Sequence, residues 1–294
     1  MTAGGPVLRD TAPGKVNLCL VLGDTRADGL HALVSLVQSL TLADEVTLEP
    51  SGGSRDEVVC PGVPGPNLAA DALAAYRAAS GWDGPGQRLT ITKRVPVAAG
   101  MGGGSSDAAA ALRLAARAAG QPGDPRLAAL APGLGSDVPA LLTPGLCLVS
   151  GAGEEVRPLA PLASFRALVL PSRARLSTPD VFREADRLGL ARPPEELARR
   201  AAALAAAAQP GAPLPLGLLA NDLEPAARSL CPSIDDALAA AREAGAAAAL
   251  VSGSGPTVVG LFPGAAPGLE AAASALAGRF PGACVADPVA VSGP

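Results

Sequence analysis

Between residues 97 and 107 the chain reads Val97-Ala98-Ala99-Gly100-Met101-Gly102-Gly103-Gly104-Ser105-Ser106-Asp107, with four glycines in five residues. An alanine-rich stretch follows at once, and helical composition from about Ser106 to Ala119 is closed by Gly120 and Pro122. Glycine takes positive φ without a Cβ penalty and lets a ligand approach the backbone. A helix start leaves N–H groups unpaired and carries a partial positive charge. Together these features make an anion cradle, most often for phosphate. No Lys-Ser/Thr follows the glycines, and the spacing and downstream acid of a dinucleotide fingerprint are missing. The plainer reading is a flexible turn with Ser105 or Ser106 as an ordinary N-cap.

A chain of 294 residues is near the length at which a single core stops growing, so two domains are expected. Hydrophobic residues at 49% against 17% charged exclude an intrinsically disordered chain. Lys and Arg number 23 against 27 Asp and Glu, a net charge of −4, and aromatics are 2%. That acidic, ring-poor balance does not suit a nucleic-acid binder. No apolar run approaches the ~18 residues of a membrane span. The run Val16–Leu22 after Lys15 has a faint likeness to a secretory signal, but Asn17 interrupts it and the polar turn Asp24–Asp28 follows. The expectation is a cytoplasmic protein without a membrane or nucleic-acid partner, either monomer or homodimer. Five cysteines without CxxC spacing fit a reducing compartment, and a single histidine, His31, excludes a multi-histidine metal centre.

In the first half, strands are expected over Val16–Leu22 and Arg88–Lys93, the apolar segments Ala32–Leu42 and Glu45–Leu48 suggest further strands or a short helix and strand, and helices are expected over Asp71–Ser80 and Pro125–Leu130. The second half changes character. Strands are expected at Phe165–Leu170, Ala246–Val251, Thr257–Phe262 and Ala283–Ala286. Helices are expected at Pro179–Leu188, Pro194–Ala208, Ser233–Ala244 and Gly268–Gly278. This order suggests an α+β sandwich of the ferredoxin-like kind. The predicted domains are 1–160, binding the nucleotide phosphates, and 161–294.

Three further segments carry candidate chemistry. In Ala12-Pro13-Gly14-Lys15-Val16-Asn17-Leu18, strand alternation puts Lys15 and Asn17 on one face. A lysine there also has the option of snorkelling to solvent. Leu134-Gly135-Ser136-Asp137-Val138-Pro139 holds an acid in a tight turn, by itself most often a cap. Ser252-Gly253-Ser254-Gly255-Pro256 is a second glycine-rich loop, whose plain reading is a hairpin turn. A Ser-His-Asp hydrolase would have to use His31, and no nucleophile elbow lies between a strand and a helix.

In their order along the chain, the Pro-x-Lys-Val-Asn-Leu strand, the triglycine cradle and the Ser-Gly-Ser-Gly loop resemble the GHMP small-molecule kinases. Arg26-Ala27-Asp28-Gly29-Leu30-His31, the Asp137 turn and Asn221-Asp222-Leu223-Glu224 are similar to the branch acting on a cytidine diphosphate-linked methylerythritol. The resemblance runs from about Pro13 to Phe262. It implies an N-terminal domain like ribosomal protein S5 domain 2, a ferredoxin-like C-terminal domain, and ATP with Mg²⁺. The γ-phosphoryl would go to the tertiary 2-hydroxyl of the small-molecule acceptor in non-mevalonate isoprenoid synthesis. It further implies Asp137 as the base and Lys15 as its cationic neighbour. Val97 to Ser106 would hold ATP, with a hydroxyl of Ser105 or Ser106 near the metal. Asn17, Leu30, His31, Thr178, Phe182 and Gly253 would bind the acceptor, His31 on the cytosine edge and Phe182 as a stacking ring. The family usually has tyrosine before the histidine, and Leu30 departs from it, losing a π-face. Alternatives are a homoserine, mevalonate or sugar kinase, an inactive nucleotide-binding relative, or a decarboxylase on the same fold.

Overall fold

A computed structural model of the chain describes residues 5–290. It opens on two long strands, β1 (Leu8–Thr25) and β2 (His31–Pro50), then β3 (Glu57–Val59), α1 (Leu68–Ser80) and β4 (Gln87–Thr92). Next come α2 (Gly103–Ala118), α3 (Arg126–Leu134), the short α4 (Val138–Leu141), and the pair β5 (Leu146–Ser150) and β6 (Glu155–Leu159). The remainder begins with β7 (Phe165–Leu170), α5 (Thr178–Leu188), α6 (Pro194–Ala207) and the two-residue β8 (Ala220–Asn221). It ends with α7 (Glu224–Leu230), α8 (Ile234–Glu243), β9 (Ala248–Val251), β10 (Val258–Pro263), α9 (Leu269–Leu276) and β11 (Cys284–Ala286). No helix among the described residues is long and apolar enough to cross a membrane.

Two differences from the expected elements have clear causes. The segments Ala32–Leu42 and Glu45–Leu48, expected as two strands or a short helix and a strand, are one strand, β2. The polar residue between them, Asp44, is fully buried, and it accepts from the N–H groups of Arg94 and Val95 and from the Lys93 ammonium. A satisfied carboxylate need not interrupt a strand. Helix α2 begins at Gly103, not near Ser106. Gly102 is its cap at φ 67°, and Ser106 N–H already donates to Gly102 O at 2.8 Å. The triglycine segment therefore supplies the cap and first turn of the helix, and neither serine caps it.

Compactness groups the chain into two interleaved units. A single cut at 160 divides it by chain order instead. The first unit contains the described residues up to Gly14, Leu42–Val97 and Gly102–Thr143. There β4 lies between β3 and β2, with Val46 opposite Ile91 and Leu48 opposite Leu89, all buried. Helices α1 and α2 share one core with this sheet, which also holds Leu73, Tyr76 and the buried alanines Ala108–Ala111 of α2. Side chains this small let helices pack at short interaxial distance.

The second unit takes Lys15–Thr41, Ala98–Met101 and the described residues from Pro144 onward. In it β2 pairs antiparallel with β5, β5 with β6, and β1 runs parallel to β8. A separate antiparallel sheet has the order β11-β7-β10-β9. The last strand beside the first, with helices between, is the ferredoxin-like arrangement. Its core joins Leu168 and Leu170 of β7 to Val181, Ile234 and Leu238.

The end of β1 is tied down by Asp222, which follows β8. Its carboxylate accepts from Leu22 N–H at 3.1 Å and takes two bonds from Arg192, at 2.9 and 2.8 Å. Cys19, on the same strand, is a buried free thiol whose pKa burial pushes up to about 11, so it stays protonated. Asp222→Ala removes the partner of a buried N–H and of a guanidinium. It is expected to destabilise the fold by about 1–3 kcal/mol, read as a lower midpoint in urea denaturation at unchanged slope.

Candidate active site

Strand alternation brings Lys15 and Asn17 to one face, and both side chains are turned inward, each residue 4% exposed. Lys15 does not snorkel. Its ammonium donates to Asn17 Oδ1 at 2.8 Å, Asn17 Nδ2 donates to Ser35 Oγ at 2.7 Å, and Ser35 Oγ donates to the Cys19 carbonyl at 2.7 Å. The relay fixes the orientation of the Asn17 amide and holds the lysine side chain in one geometry.

The loop after β9 closes over this pair. Gly253 has φ 55°, and a Cβ there would lie 2.9 Å from Gly100 O, 3.1 Å from Lys15 Nζ and 3.4 Å from Asn17 Oδ1. Ser252 Oγ donates to Gly100 O at 3.1 Å, and Lys15 N–H donates to Met101 O at 2.9 Å. Gly100, at φ 74°, has room for no side chain, since its Cβ would meet Ser252 O at 2.1 Å. Asn221 Nδ2 holds the loop from beneath by donating to Val251 O at 2.8 Å and Gly253 O at 2.7 Å. Thr178 Oγ1 bonds Ser254 Oγ at 2.9 Å. Segments from the start, middle and end of the sequence thus meet at Lys15. Asn221, Ser35 and Ser252 support them, although strand alternation and turn chemistry do not single out these three.

In the first unit, the rest of the glycine segment forms the start of α2. Gly104 has open space where a Cβ would lie, whereas Gly103 backs onto Lys93 Nζ at 3.3 Å. Ser106 Oγ and Asp107 Oδ1 are buried and lack a hydrogen-bond partner. The other oxygen of Asp107 accepts from Lys93 at 2.7 Å, and Lys93 also pairs with Asp44. Burial pushes the Asp107 carboxyl up to about 7, against the pull of Lys93. Burial works against the Lys93 charge too, but the bonds to Asp107 and Asp44 leave its pKa above the ordinary lysine value. The sequence reading missed this trio, whose members come from β2, the end of β4 and α2. Asp137 precedes α4 and is half-buried, without a capping bond from its side chain. The turn before it packs against α2, a Cβ on Gly135 falling 3.8 Å from Ser105 Oγ. Of the remaining predicted residues, Val97 is exposed, Ala98 takes φ 54°, and Ala99 and Met101 are buried.

A third cluster lies on the second unit. The turn Arg26–Leu30 is closed by Arg26 N–H on Leu30 O at 2.7 Å and by Leu30 N–H on Asp28 Oδ1 at 3.0 Å, with Arg26 paired to Glu154 at 2.5 Å. It leaves Leu30 54% exposed. His31 Nδ1 is 3.0 Å from Gly23 O, and its Nε2 is 3.3 Å from Asp186 Oδ1 and 3.4 Å from Thr25 Oγ1. The His31 and Phe182 rings pack with centroids 5.2 Å apart, tilted by 36°.

A glycine-built helix start, a buried lysine under a glycine loop and a ferredoxin-like sheet define a class. The GHMP kinases N terminal domain matches residues 67–145, and the GHMP kinases C terminal family matches residues 196–279. The chain is similar to the 4-diphosphocytidyl-2-C-methyl-D-erythritol kinase of Streptomyces coelicolor, with 45% identity over 83% of this chain and 84% of that protein. The kinase of the same name from Thermobifida fusca is 41% identical over 96% of this chain and 94% of its own length. A crystal structure of 4-(cytidine 5'-diphospho)-2C-methyl-D-erythritol kinase superposes with a TM-score of 0.74 at 35% identity, covering 96% of this chain and 99% of that one. The chain belongs to the 4-diphosphocytidyl-2-C-methyl-D-erythritol kinase family.

The raised Asp107 pKa has a consequence for stability. Between the ordinary carboxylate value and about 7 the folded chain binds a proton at Asp107 that the unfolded chain has lost. This contribution therefore favours the fold at low pH, diminishes as pH rises through that window and is flat above it. Asp107→Asn should flatten the pH dependence of the urea midpoint between about pH 4 and pH 7. An unchanged slope would remove Asp107 as its source.

Proposed function

We propose that this chain, an ATP-dependent kinase, transfers the γ-phosphoryl of ATP to the tertiary 2-hydroxyl of 4-diphosphocytidyl-2-C-methyl-D-erythritol, in the non-mevalonate route to isoprenoids. Asp137 accepts the hydroxyl proton as the oxygen attacks the γ-phosphorus, the bond to the bridging oxygen breaks, and ADP leaves. Lys15 meets charge on the transferring group. Phosphoryl transfer asks for little covalent help, so alignment and charge neutralisation supply most of the rate. The observation that carries this reading is Lys15, a residue 4% exposed whose ammonium is bonded to Asn17 beside the backbones of Gly100 and Gly253. A buried cation held so firmly next to a glycine segment suits an anionic ligand.

Val97, Ala98, Ala99, Gly100, Met101, Gly102, Gly103, Gly104, Ser105 and Ser106 form the ATP-phosphate segment, the N–H groups of the first α2 turn facing the anion. Asn17 orients acceptor hydroxyls, with Gly253 and Thr178 on the same side, while Leu30, His31 and Phe182 take the cytidine end. The family also implies Mg²⁺, a hard cation that takes oxygen ligands, substrate phosphates among them. The buried, unpartnered Ser106 hydroxyl fits that requirement, and Ser106 is the residue that would hold the ion. When bound, the ion neutralises charge on the β- and γ-phosphates.

Turnover measured as ADP release from ATP and Mg²⁺ should require the cytidine-linked acceptor, with mevalonate and homoserine inactive. Asp137→Asn should lower kcat by about 10²–10⁴-fold, the range of a general base. Because the base acts in the transition state, ATP affinity should stay within about tenfold. Near-normal turnover would strip Asp137 of its role. Leu30→Tyr restores a ring at an exposed position and should lower the acceptor KM by about 2- to 10-fold, an aromatic pair being worth about 0.5–1.5 kcal/mol. A KM that stays level or rises would show that Leu30 is not a stacking position.

A further inference from the structure

Between β4 and α2 the chain leaves one fixed point and returns to another, and a single ammonium joins the two. On the way out, the N–H groups of Arg94 and Val95 donate to Asp44 Oδ1 at 2.5 and 2.8 Å, and the other oxygen of Asp44 accepts from Lys93. On the return, Lys93 donates to Asp107 Oδ2 at 2.7 Å. All three side chains are withdrawn from water, at 0% exposure for Asp44, 4% for Asp107 and 13% for Lys93. The helix backbone also touches the lysine. A Cβ on Gly103 would lie 3.3 Å from both Lys93 Nζ and Val95 Cγ1. Residues four apart share a helix face, so Gly103 and Asp107 meet Lys93 from one side of α2. Gly104 has open space where its Cβ would lie. The first turn thus has a held side and an open side.

What Lys93 gives this turn is place rather than charge. One ammonium faces two carboxylates, so little of its field is left for a ligand on the open side. An anion cradle made of backbone N–H groups has a different need, because its donors act only where the backbone sits. Geometry of this kind is sensitive, and a misplacement of about 1 Å can lower a rate about 10²-fold. The run Gly102–Gly104 has no side chains to fix it, and glycine loses more freedom on ordering than any other residue. The restraint must come from residues on either side, and Asp44, Lys93 and Asp107 occupy those places.

We propose that Lys93 and Asp107 are positioning residues for the donor nucleotide's phosphates: through Asp44 they clamp both ends of the glycine segment and so fix the first turn of α2 where the phosphates require it. The inference rests on the reading of that turn as the ATP-phosphate site, and its test separates phosphates from base without turnover. ATP with Mg²⁺ is titrated into the protein by calorimetry, and adenosine by ligand-observed NMR. Asp107→Ala cuts the tie while Lys93 keeps Asp44, and it should weaken ATP binding by about 10- to 100-fold, the span of a hydrogen bond between charged groups. Adenosine has no phosphates and should keep its affinity within about threefold, as for a site that shares no partner with the change. Asp107→Asn retains a carbonyl oxygen for Lys93 and should bring ATP binding back to within about fivefold of wild type. Lys93→Met releases both ends at once, so the double variant with Asp107→Ala should bind ATP no more weakly than Lys93→Met alone. Unchanged ATP affinity in Asp107→Ala, an equal loss for adenosine in a variant that still unfolds cooperatively in urea, or additive losses in the double variant overturns the proposal. Wild-type protein that binds ATP no better than adenosine would remove the phosphate site and the clamp's purpose together, a result distinct from those three.

Discussion

A lysine residue only 4% exposed is buried, and a buried charged side chain persists only when fixed dipoles or partner charges replace the lost solvent. For Lys15 one replacement is the Asn17 carbonyl, itself oriented by Ser35 and, through it, by a backbone carbonyl of the same strand. Much of the second unit can be read as support for this arrangement. Asp222 and Arg192 pin the end of β1, and Asn221 draws the loop after β9 toward it. Gly100 and Gly253 permit backbone contact at distances that any side chain would prevent.

The start of α2 shows a different solution to charge burial. Lys93 is shared by Asp44 and Asp107, so one cation serves two carboxylates. Asp44 also has two backbone N–H donors, whereas one oxygen of Asp107 has none. Burial raises the Asp107 carboxyl to about 7 against the pull of Lys93. A group of this kind lies one residue from the buried, unpartnered Ser106 hydroxyl. The first turn of α2 therefore contains buried polar atoms without hydrogen-bond partners.

Much of the fold was legible in the residue pattern. Strand β7 matches its expected bounds, and α5 and α6 match theirs within a residue. In these segments apolar periodicity and proline or glycine punctuation agree with the tertiary environment. The glycine segment, the Lys15–Asn17 face and the Gly253 loop were legible for the same local reasons. Elements β3, β6 and β8 were not, because strands of two to five residues carry too little periodicity. The break expected in β2 was misleading, since the environment that absorbs Asp44 comes from residues about fifty positions away. Fold class followed from element order. Compactness, by contrast, depends on which strands run on past their local signals, and it assigns residues 15–41 to the second unit.

Sequence by itself determined the local chemistry of this protein: a glycine run able to bare its backbone, a strand with lysine and asparagine on one side, and a helix carrying Phe182 and Asp186 a turn apart. Only the tertiary structure decided which of these would meet. Ser252 reaches Gly100 across 152 positions, Asp222 reaches Leu22 across 200, and His31 finds Asp186 on a helix far along the chain. Local preferences act over a few residues, whereas such contacts form only when burial of the two cores brings distant segments together. The partners of the Lys93 and His31 side chains were therefore set by packing, whereas Asn17 reaches Lys15 through strand alternation alone.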